Sequence, residues 1–175
     1  MNAAVSRGII NLARLDRLTA TSAMTLSPRW AADAVELQEF KSQIDVGLHL
    51  DWTSPCAVEK GHGLSLNRGA LIAAFGGYNK SKARMVIEQQ LDLFEQVWGS
   101  SPSHIDGHQH VHQLPIIRDV LLRVIQQRYA QAMPWLRSTR SAPQAAHLDR
   151  RTQLKSHIIA VLGHHAISTR AKALG

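Results

Sequence analysis

Histidine and aspartate crowd one short stretch of this chain: His104, Asp106, His108, His110 and His112 fall within nine residues. Imidazole is the commonest protein ligand for transition metals and the natural proton shuttle near neutral pH. The cluster begins in a short apolar run and ends at Pro115, a residue suited to the first position of a helix. It therefore reads as a loop at the carboxyl end of a strand. A plain solvated loop would give no reason for so many imidazoles beside one aspartate.

A second piece lies upstream, in Asp45-Val46-Gly47-Leu48-His49-Leu50-Asp51. Val46, Leu48 and Leu50 alternate with Gly47, His49 and Asp51, the period-2 pattern of a strand. His49 and Asp51 are expected to share the face opposite the aliphatic residues. Alone, a strand histidine is more often a hydrogen-bonded core residue than a ligand. Beside the later cluster the balance reverses, because parallel α/β sheets build sites where strand carboxyl ends converge.

A hydrolytic metal centre needs about three protein ligands and one position open to water. His49 and His108 supply two neutral nitrogen ligands from different strands. Asp106 could be a ligand itself or could fix the tautomer of a neighbouring histidine. Asp51 is the only other acid near a strand end and is a candidate supporting residue. His110 and His112, further along the loop, are candidate substrate contacts. The ion is divalent, with Mg²⁺ and Zn²⁺ both open, since magnesium prefers oxygen while two histidines also suit zinc.

The elements that must position these residues alternate between helix and strand, which implies an α/β fold with a largely parallel sheet. Asn2 can cap a helix through Ile9, Ile10, Leu12 and Leu15. Residues 19–26 read as a strand, and Pro28 opens a helix through Ala31, Ala32, Val35 and Leu37. The His49 strand spans 43–50. Residues 52–78 hold Pro55 and several glycines and read as a long loop, with a short helical piece at 71–75. Ser81 begins a helix with Val86, Ile87, Leu91, Leu93, Phe94 and Val97 on one side, ending before Gly99. Residues 103–106 and 135–138 read as strands on either side of a helix that starts at Pro115. Residues 151–162 and 166–174 look helical.

At 175 residues the chain reads as one domain over 1–175, long enough for a hydrophobic core. Hydrophobic residues make up 45% and charged residues 19%, the balance of an ordinary globular protein. No apolar run reaches the ~20 residues of a membrane span, and the first residues lack the apolar core of a signal peptide. Cys56 is the only cysteine, so no internal disulfide forms, and a cytoplasmic location is expected. The net charge of +7 comes from 20 scattered Lys and Arg with 5% aromatics, which argues against nucleic acid as a partner.

Two segments together, DVGLHLDWT at 45–53 and HIDGHQHVHQLP at 104–115, resemble the YdjC-like carbohydrate deacetylases. That group includes chitooligosaccharide deacetylases and hopanoid-biosynthesis-associated deacetylases. RGIINLARLDRLTATSAM at 7–24 resembles the family's first helix and second strand, and PWLRST at 134–139 the strand after the His-rich loop. GHQHVHQLPIIRDVLL at 107–122 and LGHHA at 162–166 are closest to the hopanoid-associated branch. The resemblance implies a distorted (β/α) barrel-like fold and removal of an acetyl group from an N-acetylated sugar or glycolipid. It implies a divalent ion held by an aspartate and two histidines, which map onto His49 and His108. A homodimer is a further open expectation. The family pattern starts with a strand ending in an Asp-Asp pair and ends with a further strand and histidine. Neither is found here, so the fold is expected to be incomplete at both ends.

Two functional classes therefore stand against each other. One is a metal-dependent hydrolase acting on an acetamide; the other is a metal- or sugar-binding protein of the same fold that turns nothing over.

Overall fold

The computed structural model describes residues 2–63, 78–138 and 169. The expected helices at 71–75, 151–162 and 166–174 lie outside these residues, Thr169 apart, as does the segment 162–166.

Helix α1, Ala3–Arg14, is capped as its sequence suggests, with the Asn2 side chain accepting from the Val5 amide at 3.0 Å. Ile10 and Ala13 turn inward, whereas Leu15 lies past the helix end and is exposed. Strand β1, Ala20–Ala23, is half the expected length because residues 24–27 close a turn, Ser27 N–H to Met24 O at 3.1 Å. That turn leads into α2, Trp30–Gln38, and β2 follows at Asp45–Leu50.

Where a loop is expected after β2, the chain forms a short helix, α3, Pro55–Glu59. Its signal is local: Ser54 caps it by accepting from Ala57 N–H, and Pro55 occupies the first turn, where a missing N–H costs nothing. Helix α4, Lys80–Trp98, starts one residue before the Ser81 expectation because Asn79 takes the capping role. It stops at Gly99, whose φ of 76° is the left-handed conformation that glycine adopts freely. Strand β3, His104–Gly107, runs into a tight 3-10 segment, His108–Gln113, and then into α5, Pro115–Arg128. Strand β4 is Trp135–Leu136.

The strands form one parallel sheet in the order β1-β2-β3-β4. Consecutive parallel neighbours joined by right-handed crossovers put their helices on one side. Accordingly Val46, Leu48, Leu50 and Ile105 share a single core with Ile10 of α1, Trp30 and Leu37 of α2, Phe94 of α4, and Ile117 and Leu121 of α5. Trp30 stacks on Phe94 with ring centroids 5.6 Å apart. Among the described residues these helices pack on one face of the four-stranded sheet and leave the opposite strand face apart from that core. Alternation then sends Ser22, Gly47, His49, His104 and Asp106 to that opposite face.

Candidate functional site

Register brings the two halves of the site together. His49 on β2 pairs with Asp106 on β3, so both side chains leave the sheet side by side. The His49 Nδ1 stands 2.7 Å from Asp106 Oδ1. Burial alone would raise the Asp106 pKa. The His49 hydrogen bond and charge win over it and hold the carboxyl below its ordinary value. Ionised Asp106 only accepts, so His49 donates to it through Nδ1–H, and Nε2 is the ring nitrogen not engaged with it. The His49 side chain keeps 24% of its surface exposed.

His108 opens the loop just after β3, and its ring lies 5.6 Å from that of His49, nearly edge-on at 72°. Two imidazoles bonded at about 2.1 Å to one ion would place their centroids roughly 5 Å apart. The pair therefore fits two positions around a divalent ion, with Asp106 behind His49 in the carboxylate–histidine–metal pattern. Among the described residues no group of three or more His, Cys, Asp and Glu could hold an ion by itself.

The other sequence candidates are placed differently. Gln109 and His110 both adopt positive φ, 52° and 62°, a conformation non-glycine residues rarely take in succession. This kink leaves Gln109 exposed and His110 half-buried at the loop surface. His112, expected to touch substrate, is fully buried, and its Nε2 donates to the Arg137 carbonyl at 3.1 Å. Its Nδ1 has no hydrogen-bond partner and lies against Gly107, where an added Cβ would sit 2.6 Å away. Burial drives the His112 pKa down to about 4, against the partial support of the Arg137 carbonyl. A neutral, enclosed ring of this kind ties the loop to the residue just past β4, where the sequence reading expected a substrate contact.

Asp51 is also diverted. It follows the last residue of β2, fully buried, and its Oδ1 accepts from the Thr53 and Ser54 amides at 3.0 Å each. Its Oδ2 accepts from the Ser54 hydroxyl. Gln90 on α4 clasps its backbone, with Oε1 to the amide and Nε2 to the carbonyl, both at 2.8 Å. Asp51 shapes the turn into α3 and is not brought to His49 and His108.

Three further residues join the site, none of them given a role from the sequence. Arg137, just beyond β4, reaches Asp106 Oδ2 with Nη1 at 3.5 Å while 61% of its side chain stays exposed. Ser22 on β1 and His104 on β3 hydrogen-bond to each other at 3.0 Å. His104 belongs to the His-rich stretch, so its place beside the site was visible in the sequence. Ser22 and Arg137 carried no such signal.

A model of the YdjC-like protein family matches residues 1–173. The chain belongs to the YdjC-like family. Carbohydrate deacetylases from Xenopus laevis and Mus musculus are each 42% identical to it, over 52 and 53 residues, about 30% of this chain and 17% of theirs. The Danio rerio carbohydrate deacetylase is 26% identical over 133 residues, 69% of this chain and 41% of that protein. This YdjC-like chain thus spans well under half the length of the curated relatives it matches. A crystal structure from Enterococcus faecalis, of a protein proposed to cleave cellobiose phosphate, superposes with a TM-score of 0.60 at 19% identity. It covers 93% of this chain and 61% of that one, which shows the shared fold.

Proposed function

We propose that this chain carries the metal and substrate face of a carbohydrate N-deacetylase, with His49 and His108 as two ligands of a divalent ion. The observation that carries this reading is the His49–Asp106 couple beside His108, at the carboxyl ends of adjacent parallel strands. Descent from the same ancestor as the carbohydrate deacetylases supports an N-acetylated sugar or glycolipid as substrate, with the hopanoid-associated branch as its finer form. A cytosolic setting goes with it. When bound, a divalent ion would polarise the acetamide carbonyl and lower the pKa of water.

The protein's own residues do the rest. Asp106 holds His49 in one tautomer and orientation. Arg137 offers an exposed guanidinium at the rim, suited to negative charge developing on the carbonyl oxygen. His110, raised on the left-handed kink, is the residue this reading assigns to the sugar. Hydrolysis breaks the amide C–N bond, water supplies the oxygen of the released acetate, and the amine leaves protonated.

A second reading, binding without turnover, goes with one observation: among the described residues no group of three or more His, Cys, Asp and Glu could hold an ion. A single experiment separates the two. Acetate release from N-acetylglucosamine oligosaccharides that disappears with chelator and in His108→Ala supports the hydrolase. Zinc binding that depends on His49 and His108 with no acetate release supports the binding protein.

A further inference from the structure

The chain has four tryptophans, and three of them are committed inside the fold. Trp30, Trp52 and Trp98 are each 5% exposed or less. Trp30 and Trp52 also donate their indole N–H to the Leu93 carbonyl and the Tyr78 hydroxyl. Trp135 on β4 differs on both counts. It keeps 51% of its surface exposed, and its N–H bonds none of the described residues. A ring this large, left half in water, forgoes the burial that usually rewards its size.

Its place on the sheet ties it to the site. Leu136 packs against the core, so alternation turns Trp135 and Arg137 to the opposite face, the one that carries His49 and Asp106. Register pairs Trp135 with His104 on β3, and the Arg137 guanidinium reaches Asp106. Trp135 therefore stands two residues before Arg137 on the same strand, ~6.6 Å along the sheet. One sugar ring covers a gap of that order.

The indole is also held in place. His104 lies nearly parallel to it, centroids 4.3 Å apart and planes 18° from parallel. His104 is fixed in turn, its ring nitrogens 3.0 and 2.9 Å from the Ser22 and Ser103 hydroxyls. It can lie there because Gly47 on β2 has no Cβ; an added one would come within 2.4 Å of the imidazole. The stack takes one face of the indole, and half of the residue's surface stays open to solvent.

A pyranose has an apolar face of C–H groups and a rim of hydroxyls. The C–H face gains by covering an indole, while the rim needs donors beside the ring. Here the donors are the Trp135 N–H and the Arg137 guanidinium, whose side chain is 61% exposed. An aromatic ring already held rigid loses little entropy when a ligand settles on it.

We propose that Trp135 is a sugar-binding residue, its indole stacking against the pyranose next to the one held at His49 and Asp106. The ligand is then a glycan of two or more residues. The proposal rests on the carbohydrate reading above and adds a second sugar position to it.

The test uses the chain's own fluorescence. Because the other three tryptophans are buried, quenching by iodide reports on Trp135. The N-acetylglucosamine trimer is titrated into the full, chelator-treated chain, and bound trimer should remove most of that quenching. By calorimetry, Trp135→Ala should weaken trimer binding about tenfold or more, and Trp135→Tyr should restore most of it. The trimer should also bind more tightly than N-acetylglucosamine itself. Quenching unchanged at saturating trimer, equal affinity in Trp135→Ala, equal affinity for monomer and trimer, or no trimer binding would each overturn the proposal. If Trp135→Ala fails to fold, protection from iodide in the unaltered chain decides alone. Protection without acetate release would count against the hydrolase reading only. Acetate release with Trp135 still open to iodide would count against the second sugar position only.

Discussion

His49 and Asp106 lie 57 residues apart in the chain and directly opposite each other on neighbouring strands, with Nδ1 and Oδ1 separated by 2.7 Å. The pairing gives the imidazole a defined tautomer and gives the carboxylate a reason to stay ionised while largely buried. Residues that support a metal-ligating histidine in this way commonly change ion affinity by about 10–100-fold when altered.

Asp106→Asn should therefore weaken zinc binding by roughly tenfold or more, measured by calorimetric titration, while the far-ultraviolet spectrum stays unchanged. Equal affinities in the two proteins would contradict the role given to Asp106. The folded-state pKa of this carboxyl is lowered, so its contribution to stability is present above the ordinary carboxylate pKa. That contribution is lost as pH falls through the folded value.

His112 makes a prediction of opposite type. Its folded pKa of about 4 lies below the ordinary imidazole value of 6.5, so the unfolded chain binds more protons between these values. Stability must then rise with pH across that window and fall on acidification, by up to roughly 3 kcal/mol from this ring alone. His112→Gln should flatten the dependence of the urea midpoint on pH between the two values. A slope equal to that of the unaltered chain would show that His112 does not titrate this way.

Gly47→Ala adds one methyl where the His104 ring already lies. Overpacking of this kind costs about 1–3 kcal/mol, a fall of several degrees in melting temperature for a chain of this size. Because the ring must move off β2, the Ser22–His104 bond should break as well. The histidine ¹⁵N spectrum would then show a change that simple destabilisation does not produce.

Gln90→Leu removes both partners of the Asp51 backbone at a fully buried position. An unsatisfied buried polar group costs about 1–3 kcal/mol, so loss near the top of that range or above it is expected by chemical denaturation. A near-neutral effect would mean that the turn after β2 relaxes to find other partners.

Much of the local structure was legible because its causes are local. Asn2 and Gly99 mark helix ends through bonds spanning only a few residues, and the Val46-Leu48-Leu50 alternation assigns His49 to the far face of its strand. The Ser54–Pro55 start of α3 was equally present, but the glycines and prolines around it made the whole segment read as loop. Thr19 to Leu26 read as one strand because composition does not show where a turn will close.

The sequence by itself determined which residue types are available, the alternation of helix and strand, and the His-rich junction after β3. Tertiary structure alone decided which of those residues meet. Strand register is set by how the helices pack and how the loops span, and it placed Asp106 opposite His49 and Ser22 beside His104, 82 residues away in the chain. The same packing turned two plausible site residues inward. Asp51 was drawn under Gln90 to shape a turn, and His112 was drawn under β4 to anchor a loop. Periodicity gives the face a side chain leaves by. The partner it meets there depends on contacts between segments distant in sequence, and no local pattern encodes those.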